Sequence, residues 1–263
     1  MATMEQRRDR LVTRQVDSRG VRDPLVLAAM RAVPREIFVP KDLREEAYDD
    51  TPLPIGSGQT ISQPYIVAFM IEALSLRGGE KVLEIGAGSG YAAAVLAQIA
   101  GEVFAIERIG QLAERAADNL ASAGCDNVHV RHADGTEGWS DEAPFEAILV
   151  SAGAPDVPGS LMRQLQIGGH MVVPVGSDPR SQELIRITRV DDDEYEREEI
   201  ADVRFVPLIG KEGWESEDSD WQAKPPRVVQ SRPAVSVSLP GLIAKHGQTF
   251  AKLEDADLEP LLH

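Results

Sequence analysis

The chain has 263 residues, 43% of them hydrophobic, and a formal net charge of −16. That much apolar material supports a core, no apolar run approaches the ~18 residues of a membrane span, and so large an acid excess excludes phosphate-backbone binding as a main role, because that needs clustered Lys and Arg. One cysteine, Cys125, permits no internal disulfide, and the N-terminus leads into no apolar signal segment, so a reducing cytoplasm is the expected compartment.

Taken in order, Leu11, Val12 and Val16 recur at roughly helical spacing and predict a helix ending near Gly20. Asp23-Pro24 supplies an N-cap with proline at the first helical position, opening a helix from Leu25 to Ala32 that stops before Pro34. Ile37, Phe38 and Val39 form an apolar anchor, and Asp42 to Ala47 reads as another short helix. Tyr48 to Tyr65 (Y-D-D-T-P-L-P-I-G-S-G-Q-T-I-S-Q-P-Y) carries three prolines and two glycines and is expected to form no regular element. A long irregular stretch in a compact domain is usually functional or disordered; Leu53, Ile55 and Ile61 favour a packed loop. Helical spacing resumes from Ile66 to Leu76.

From Val82 the pattern alternates. Strands are predicted at 81–85, 102–106, 127–131, 145–150, 169–175, 183–190 and 199–207, and helices at 90–100, 110–123 and 158–166. Strands separated by helices build a mostly parallel sheet covered on both faces. The last two strands have no helix between them, and Asp191 to Glu194 supplies a turn, so that edge is expected to be an antiparallel hairpin. The expected fold is α/β and doubly wound, with a mostly parallel seven-stranded sheet, an antiparallel edge, helices on both faces and an N-terminal helical extension. Residues 1–80 read as helices plus an active-site loop, 81–214 as a Rossmann-like core, and 215–263, acidic and then proline-rich, as a linker and tail of the kind that leads to a second domain.

Lys81 to Gly90, K-V-L-E-I-G-A-G-S-G, is the stretch on which a ligand depends: strand, glycine turn, then helix. Two ligands compete for such a turn. A dinucleotide site is written G-x-G-x-x-G and seats a pyrophosphate on the helix N-terminus. Here Gly86, Gly88 and Gly90 alternate, and an ionised Glu84 would repel a pyrophosphate. S-adenosylmethionine instead carries a sulfonium and an ammonium, which an acid favours. Glu107, ending V-F-A-I-E, can accept from both ribose hydroxyls, and Asp134, in H-A-D-G, from an adenine amino group. Three acids at the carboxyl ends of three successive strands line up under one nucleoside-like ligand. The five histidines show no metal-ligand spacing, so no metal is expected.

The loop P-I-G-S-G-Q-T-I-S-Q-P-Y-I-V-A, the turn V-L-E-I-G-A-G-S-G-Y, the strand end E-R-I, the segment R-H-A-D-G and the late V-R-F-V-P-L together closely resemble protein-L-isoaspartate O-methyltransferases, as do A-V-P-R-E-I-F-V and A-Y-D-D upstream. The resemblance covers roughly residues 5 to 214. The glycine turn alone would indicate only a class I methyltransferase; the Q-T-I-S-Q-P loop is far more specific. The resemblance implies methyl transfer from S-adenosylmethionine, leaving S-adenosylhomocysteine, to the free α-carboxylate of L-isoaspartyl residues in damaged proteins or peptides, with repair through a succinimide. It implies Ser62 as the active-site residue. It implies a cofactor site of Thr60, Gln63, Glu84, Gly86, Gly88, Glu107, Arg108, Asp134 and Gly135, and a substrate site of Gly58, Thr60, Ile61, Ser62 and Val206. Isoaspartyl polypeptides are the expected partners, with no nucleic acid and no membrane. The protein is expected to be a monomer whose tail is available for a domain or subunit contact.

The chemistry suits a site without a strong base. The attacking carboxylate is already ionised at neutral pH, so the work is alignment of oxygen, methyl and sulfur. A hydroxyl such as Ser62 can hold the carboxylate without competing as a nucleophile. Rival readings stay open at this point: a methyltransferase that makes an aspartimide on a dedicated peptide, a cofactor-binding module without turnover, and a dinucleotide oxidoreductase.

Overall fold

The computed structural model describes residues 2–178 and 180–215, so nearly all of the expected linker and tail lies outside the described residues. Thr3 and Gln6 cap helix α1 (Met4–Leu11) reciprocally, and the helix continues through a π turn at Val12–Val16 and a 3-10 turn to Gly20, whose left-handed φ of 108° ends it. Helix α2 (Pro24–Ala32) starts on the Asp23 cap and Pro24, as the sequence predicts. Lys41–Glu46 forms a 3-10 helix.

The stretch from Tyr48 to Tyr65 departs from expectation. It contains a short antiparallel hairpin, β1 (Leu53–Gly56) and β2 (Gln59–Ile61). Its two turn residues, Ser57 and Gly58, both have positive φ, of 51° and 71°. That is the mirror-image turn whose twist matches a hairpin. Pro54 fits on so small a ribbon because every strand there is an edge. Helix α3 (Pro64–Ala73) follows at once.

The core sheet uses β3 (Lys81–Ile85), β4 (Glu102–Glu107), β5 (Val128–His132), β6 (Phe145–Val150), β7 (Leu165–Asp178), β8 (Ser181–Arg189) and β9 (Tyr195–Val203). Helices α4 (Tyr91–Ala97), α5 (Gly110–Ser122) and α6 (Gly159–Gln164) connect them. The order is β5-β4-β3-β6-β7-β8-β9, parallel through β7 and antiparallel from β7 to β9. Alternate residues of each strand feed two cores. Val82, Ala105, Leu149 and Val172 pack with the N-terminal helices, α4 and α5. Leu83, Ile106, Ile148 and Met171 pack with Trp139, Leu161 and Leu208 on the other face. That is the doubly wound sheet expected, covered on both sides.

The last strands are displaced from their predicted positions. β9 runs Tyr195–Val203 rather than 199–207. Its acids Glu196, Glu198 and Glu199 are exposed on the outermost strand, where polar residues cost nothing. After Val203 the chain leaves the sheet, and Pro207 bridges to Gly153 instead. β7 begins four residues earlier than predicted, at Leu165. Its pairing with β6 shifts register between Phe145 and Ala147, close to Gly168 with φ of 81°. Among the described residues no helix is long and apolar enough to cross a membrane.

Candidate active site

From β3 the chain winds outward through β4 to β5 and then returns to place β6 on the other side of β3. The carboxyl ends of β3 and β6 therefore diverge into a crevice, the place where doubly wound sheets hold ligands. Gly86 opens the turn there with φ of 84°, its N–H donating to the Ile106 carbonyl at 2.8 Å. Gly88 has φ of 56°, a region L side chains rarely adopt. A side chain at Gly88 would also meet Ile55 Cδ1 at 3.2 Å, so the hairpin packs directly on the turn.

Glu107 ends β4 facing the cleft. Its Oε2 accepts from the Gly88 N–H and its Oε1 from the Ile109 N–H, each at 2.8 Å. One carboxylate thus fixes the glycine turn and the start of α5, with lone pairs left over for a diol. Gly135 closes the third strand end. A β-carbon there would lie 2.5 Å from Ile85 Cγ2, so only glycine lets that backbone approach β3.

These elements meet in one cleft. It is lined by Gln59 and Thr60 of β2, Gly86 and Gly88, Glu107 to Ile109, Gly135, Ser151 and Ala152 after β6, and Val206 to Ile209. Seven predicted residues share it: Thr60, Gly86, Gly88, Glu107, Arg108, Gly135 and Val206. The others stand around it. Glu84 lies beneath the turn, 1% exposed. Ile61 is buried opposite Leu53, and Gly58 is at the exposed hairpin tip. Gln63 donates to Asp50, at 3.0 Å to its carbonyl and 2.8 Å to its carboxylate. Ser62 follows the cleft-lining strand directly, and its carbonyl accepts from Arg35 Nη2 at 3.1 Å.

Glu84 is the electrostatic anomaly. Burial first, and then the neighbouring charge of Glu107, push its pKa up to about 8, while the Ser151 hydroxyl and the Ala93 N–H pull the other way. Its Oε2 is buried without a hydrogen-bond partner. At neutral pH the group is therefore mostly protonated, not ionised as the sequence suggested; a cationic ligand group beside its unpartnered oxygen would favour its ionisation, and together with Glu107 that fits S-adenosylmethionine better than a dinucleotide. Asp134 behaves differently. Burial raises its pKa, but the Lys211 N–H at 2.8 Å, the Thr136 N–H at 2.9 Å and the Thr136 hydroxyl at 2.8 Å outweigh it and hold the group below the ordinary value. Asp134 thereby clasps the segment after β9 over the cleft mouth.

Two arginines hold the loop side, and sequence reading assigned neither. Arg35, fully buried, donates to the carbonyls of Ala47 at 2.5 Å, Thr51 at 3.2 Å and Ser62 at 3.1 Å. Burial pulls its pKa down, against the attraction of Tyr91 and Asp50. Its signal was available: an arginine between the apolar runs A-V-P and I-F-V. Arg115 of α5 donates to the Ile55 carbonyl at 2.6 Å and ties the hairpin to that helix. Nothing in its local sequence marks it.

The switch-point cleft, the glycine turn and the acid that ends β4 define a class I methyltransferase. The chain belongs to the family described as protein-L-isoaspartate(D-aspartate) O-methyltransferase, whose model matches residues 6–213. It is 63% identical over 223 residues to protein-L-isoaspartate O-methyltransferase 1 of Rhodopseudomonas palustris strain HaA2, covering 85% of this chain and 91% of that one. It is 52% identical over 214 residues to the Brucella anthropi protein-L-isoaspartate O-methyltransferase, covering 81% and 98%. Among solved structures, a protein-L-isoaspartate O-methyltransferase matches with a TM-score of 0.69 at 28% identity, over 78% of this chain and 67% of that one. A Plasmodium falciparum chain assigned as a protein-L-isoaspartate O-methyltransferase, crystallised with S-adenosyl-L-homocysteine, matches with a TM-score of 0.67 at 27% identity, over 77% and 98%.

Proposed function

We propose that Ser62 orients the isoaspartyl carboxylate in a reaction whose identity the family sets: S-adenosylmethionine-dependent methylation of L-isoaspartyl residues in protein repair. The observation that carries the residue roles is the cleft itself, where Thr60 of the hairpin and the Gly86–Gly88 turn line the same space. When bound, S-adenosylmethionine supplies the methyl group on a good leaving group.

The chain's own residues then position and enclose. Glu107 is assigned the ribose hydroxyls, Gly135 the adenine plane, and Glu84 the cationic amino-acid end. Asp134 is assigned to the adenine side, acting through the segment it clasps. Thr60 and Ser62 hold the substrate carboxylate, with Arg35 fixing the Ser62 backbone from behind. Gly58, Ile61 and Val206 are assigned to the substrate backbone, and Gln63 and Arg108 to the cofactor border. No side chain has to remove a proton, because a free α-carboxylate with a pKa of ~3.5 is ionised at pH 7. Rate comes from holding the reacting oxygen in line and keeping water out. Methyl ester formation then allows closure to the succinimide. The single cysteine and the acidic surface support a cytoplasmic address.

The test is methyl transfer to two synthetic peptides that differ only in L-isoaspartate against L-aspartate. Methylation of the first alone is expected. Methylation of neither, or of both equally, overturns the reading.

A further inference from the structure

Charge is segregated along this chain. The first 35 residues carry eight arginines and four acids, a net of +4, in a protein of −16. The arginines of α1 and its π turn border a groove lined by Arg7, Arg10, Arg14, Leu11, Tyr48 and Asp49. Val12 and Val16 are fully buried on the opposite side of the helix, which turns Arg10 and Arg14 outward, and both are exposed.

Most acids near the groove already have a partner. Asp9 pairs with Arg31 at 3.1 Å, Glu45 with Arg7 at 2.9 Å, Asp50 with Arg19 at 2.7 Å, and Asp17 with Arg22. Glu36 takes the Tyr48 hydroxyl. Glu5, Asp49 and Glu46, beside Glu45, remain, and Arg10 and Arg14 have no ion pair among the described residues. The groove also abuts the active-site loop. Asp49 precedes Asp50, whose carboxylate holds Gln63 at 2.8 Å, and Gln63 follows Ser62.

We propose that this groove docks acidic segments of the polypeptide substrate, with Arg10 and Arg14 as the contacts. The proposal rests on the isoaspartyl methyltransferase reading. It also meets a difficulty the composition poses, an acidic enzyme that must gather acid-bearing chains: a local cationic groove beside the loop reverses the field where the chain enters.

The test compares two isoaspartyl peptides, one flanked on both sides by Asp and Glu and one flanked by Ser and Gln. In the Arg10→Glu/Arg14→Glu variant, kcat/KM for the acidic peptide should fall about tenfold, mainly through KM, while the neutral peptide changes less than about twofold. Added salt should reproduce the loss in the unmutated protein. Arg10→Gln/Arg14→Gln should fall between the two, and an unchanged melting temperature in both variants excludes a folding effect. Equal loss on both peptides, no loss on either, or tighter binding of the acidic peptide by the variant overturns the groove. Failure of the unmutated protein to methylate the neutral peptide overturns the enzymatic reading instead.

Discussion

The glycine turn and the hairpin that packs on it face the same cleft, yet they are held in opposite ways. The turn is held mainly by the sheet. Residues 84 to 90 bond to neighbouring strand ends through Ile106, Glu107 and Ser151, with Asn119 of α5 donating to the Ser89 carbonyl at 2.9 Å. The hairpin segment is held from outside the sheet, by Arg35 and Asp50 that precede it in the chain and by Arg115 of α5. The turn is thus mainly a property of the sheet, and the hairpin's position is a property of a few side chains reaching it from helices and loops. A protein built this way can lose one side without the other.

The sharpest way to break the pairing is Arg35→Met. One buried and two half-buried carbonyls lose their donor, at ~1–3 kcal/mol for the buried one and less for the others, and the melting temperature should drop by roughly 10 °C. Methyl transfer should collapse, while calorimetry below the transition still finds S-adenosylhomocysteine binding. Equal loss of both would mean the two sides are one unit.

Glu84→Gln attacks the other side. The folded protein holds a proton on Glu84 up to about pH 8, whereas the unfolded chain releases it near 4.5. Between these values the native state binds the extra proton, so this group's contribution to stability falls as pH rises and levels off above about 8. Gln mimics the protonated form. The variant should therefore melt a few degrees above the parent at pH 8, with the gap closing towards pH 5, and should bind S-adenosylhomocysteine at least about tenfold more weakly, ~1.4 kcal/mol. A variant that binds as well as the parent removes Glu84 from the cationic end of the ligand.

Smaller effects sharpen the contrast. Ser62→Ala should lower kcat about tenfold and leave cofactor affinity within about twofold. A large loss of cofactor binding would reassign the residue. Arg115→Ala removes one hydrogen bond worth ~1 kcal/mol and should raise the peptide KM several-fold with kcat nearly intact. Steady-state kinetics on one isoaspartyl peptide distinguishes the two.

The same division decides what was legible in the sequence. The strand–glycine–helix pattern at Lys81 to Gly90 and the acids at the carboxyl ends of β3, β4 and β5 are local, so both the fold class and the class of cofactor could be read from spacing. The loop's chemistry was visible through its resemblance to a family, but its shape was not. Three prolines concealed a hairpin that Ser57 and Gly58 make possible with their positive φ. Arg115 meets Ile55 across 60 residues, and no local pattern encodes such a pair. β9 was displaced because an acid-rich strand at a sheet edge does not alternate as a half-buried strand does.

That edge strand has a consequence for the work this protein does. Polypeptides carrying isoaspartate include partly unfolded ones, whose loose strands seek an unpaired sheet margin. Here the margin is Y-E-R-E-E-I-A-D-V, four of its nine residues acidic, with Glu196, Glu198 and Glu199 exposed. A strand laid against it would bring its own side chains alongside that row of carboxylates, and the sheet discourages such growth. Among the described residues, this acid-bearing edge is therefore a poor template for a further strand.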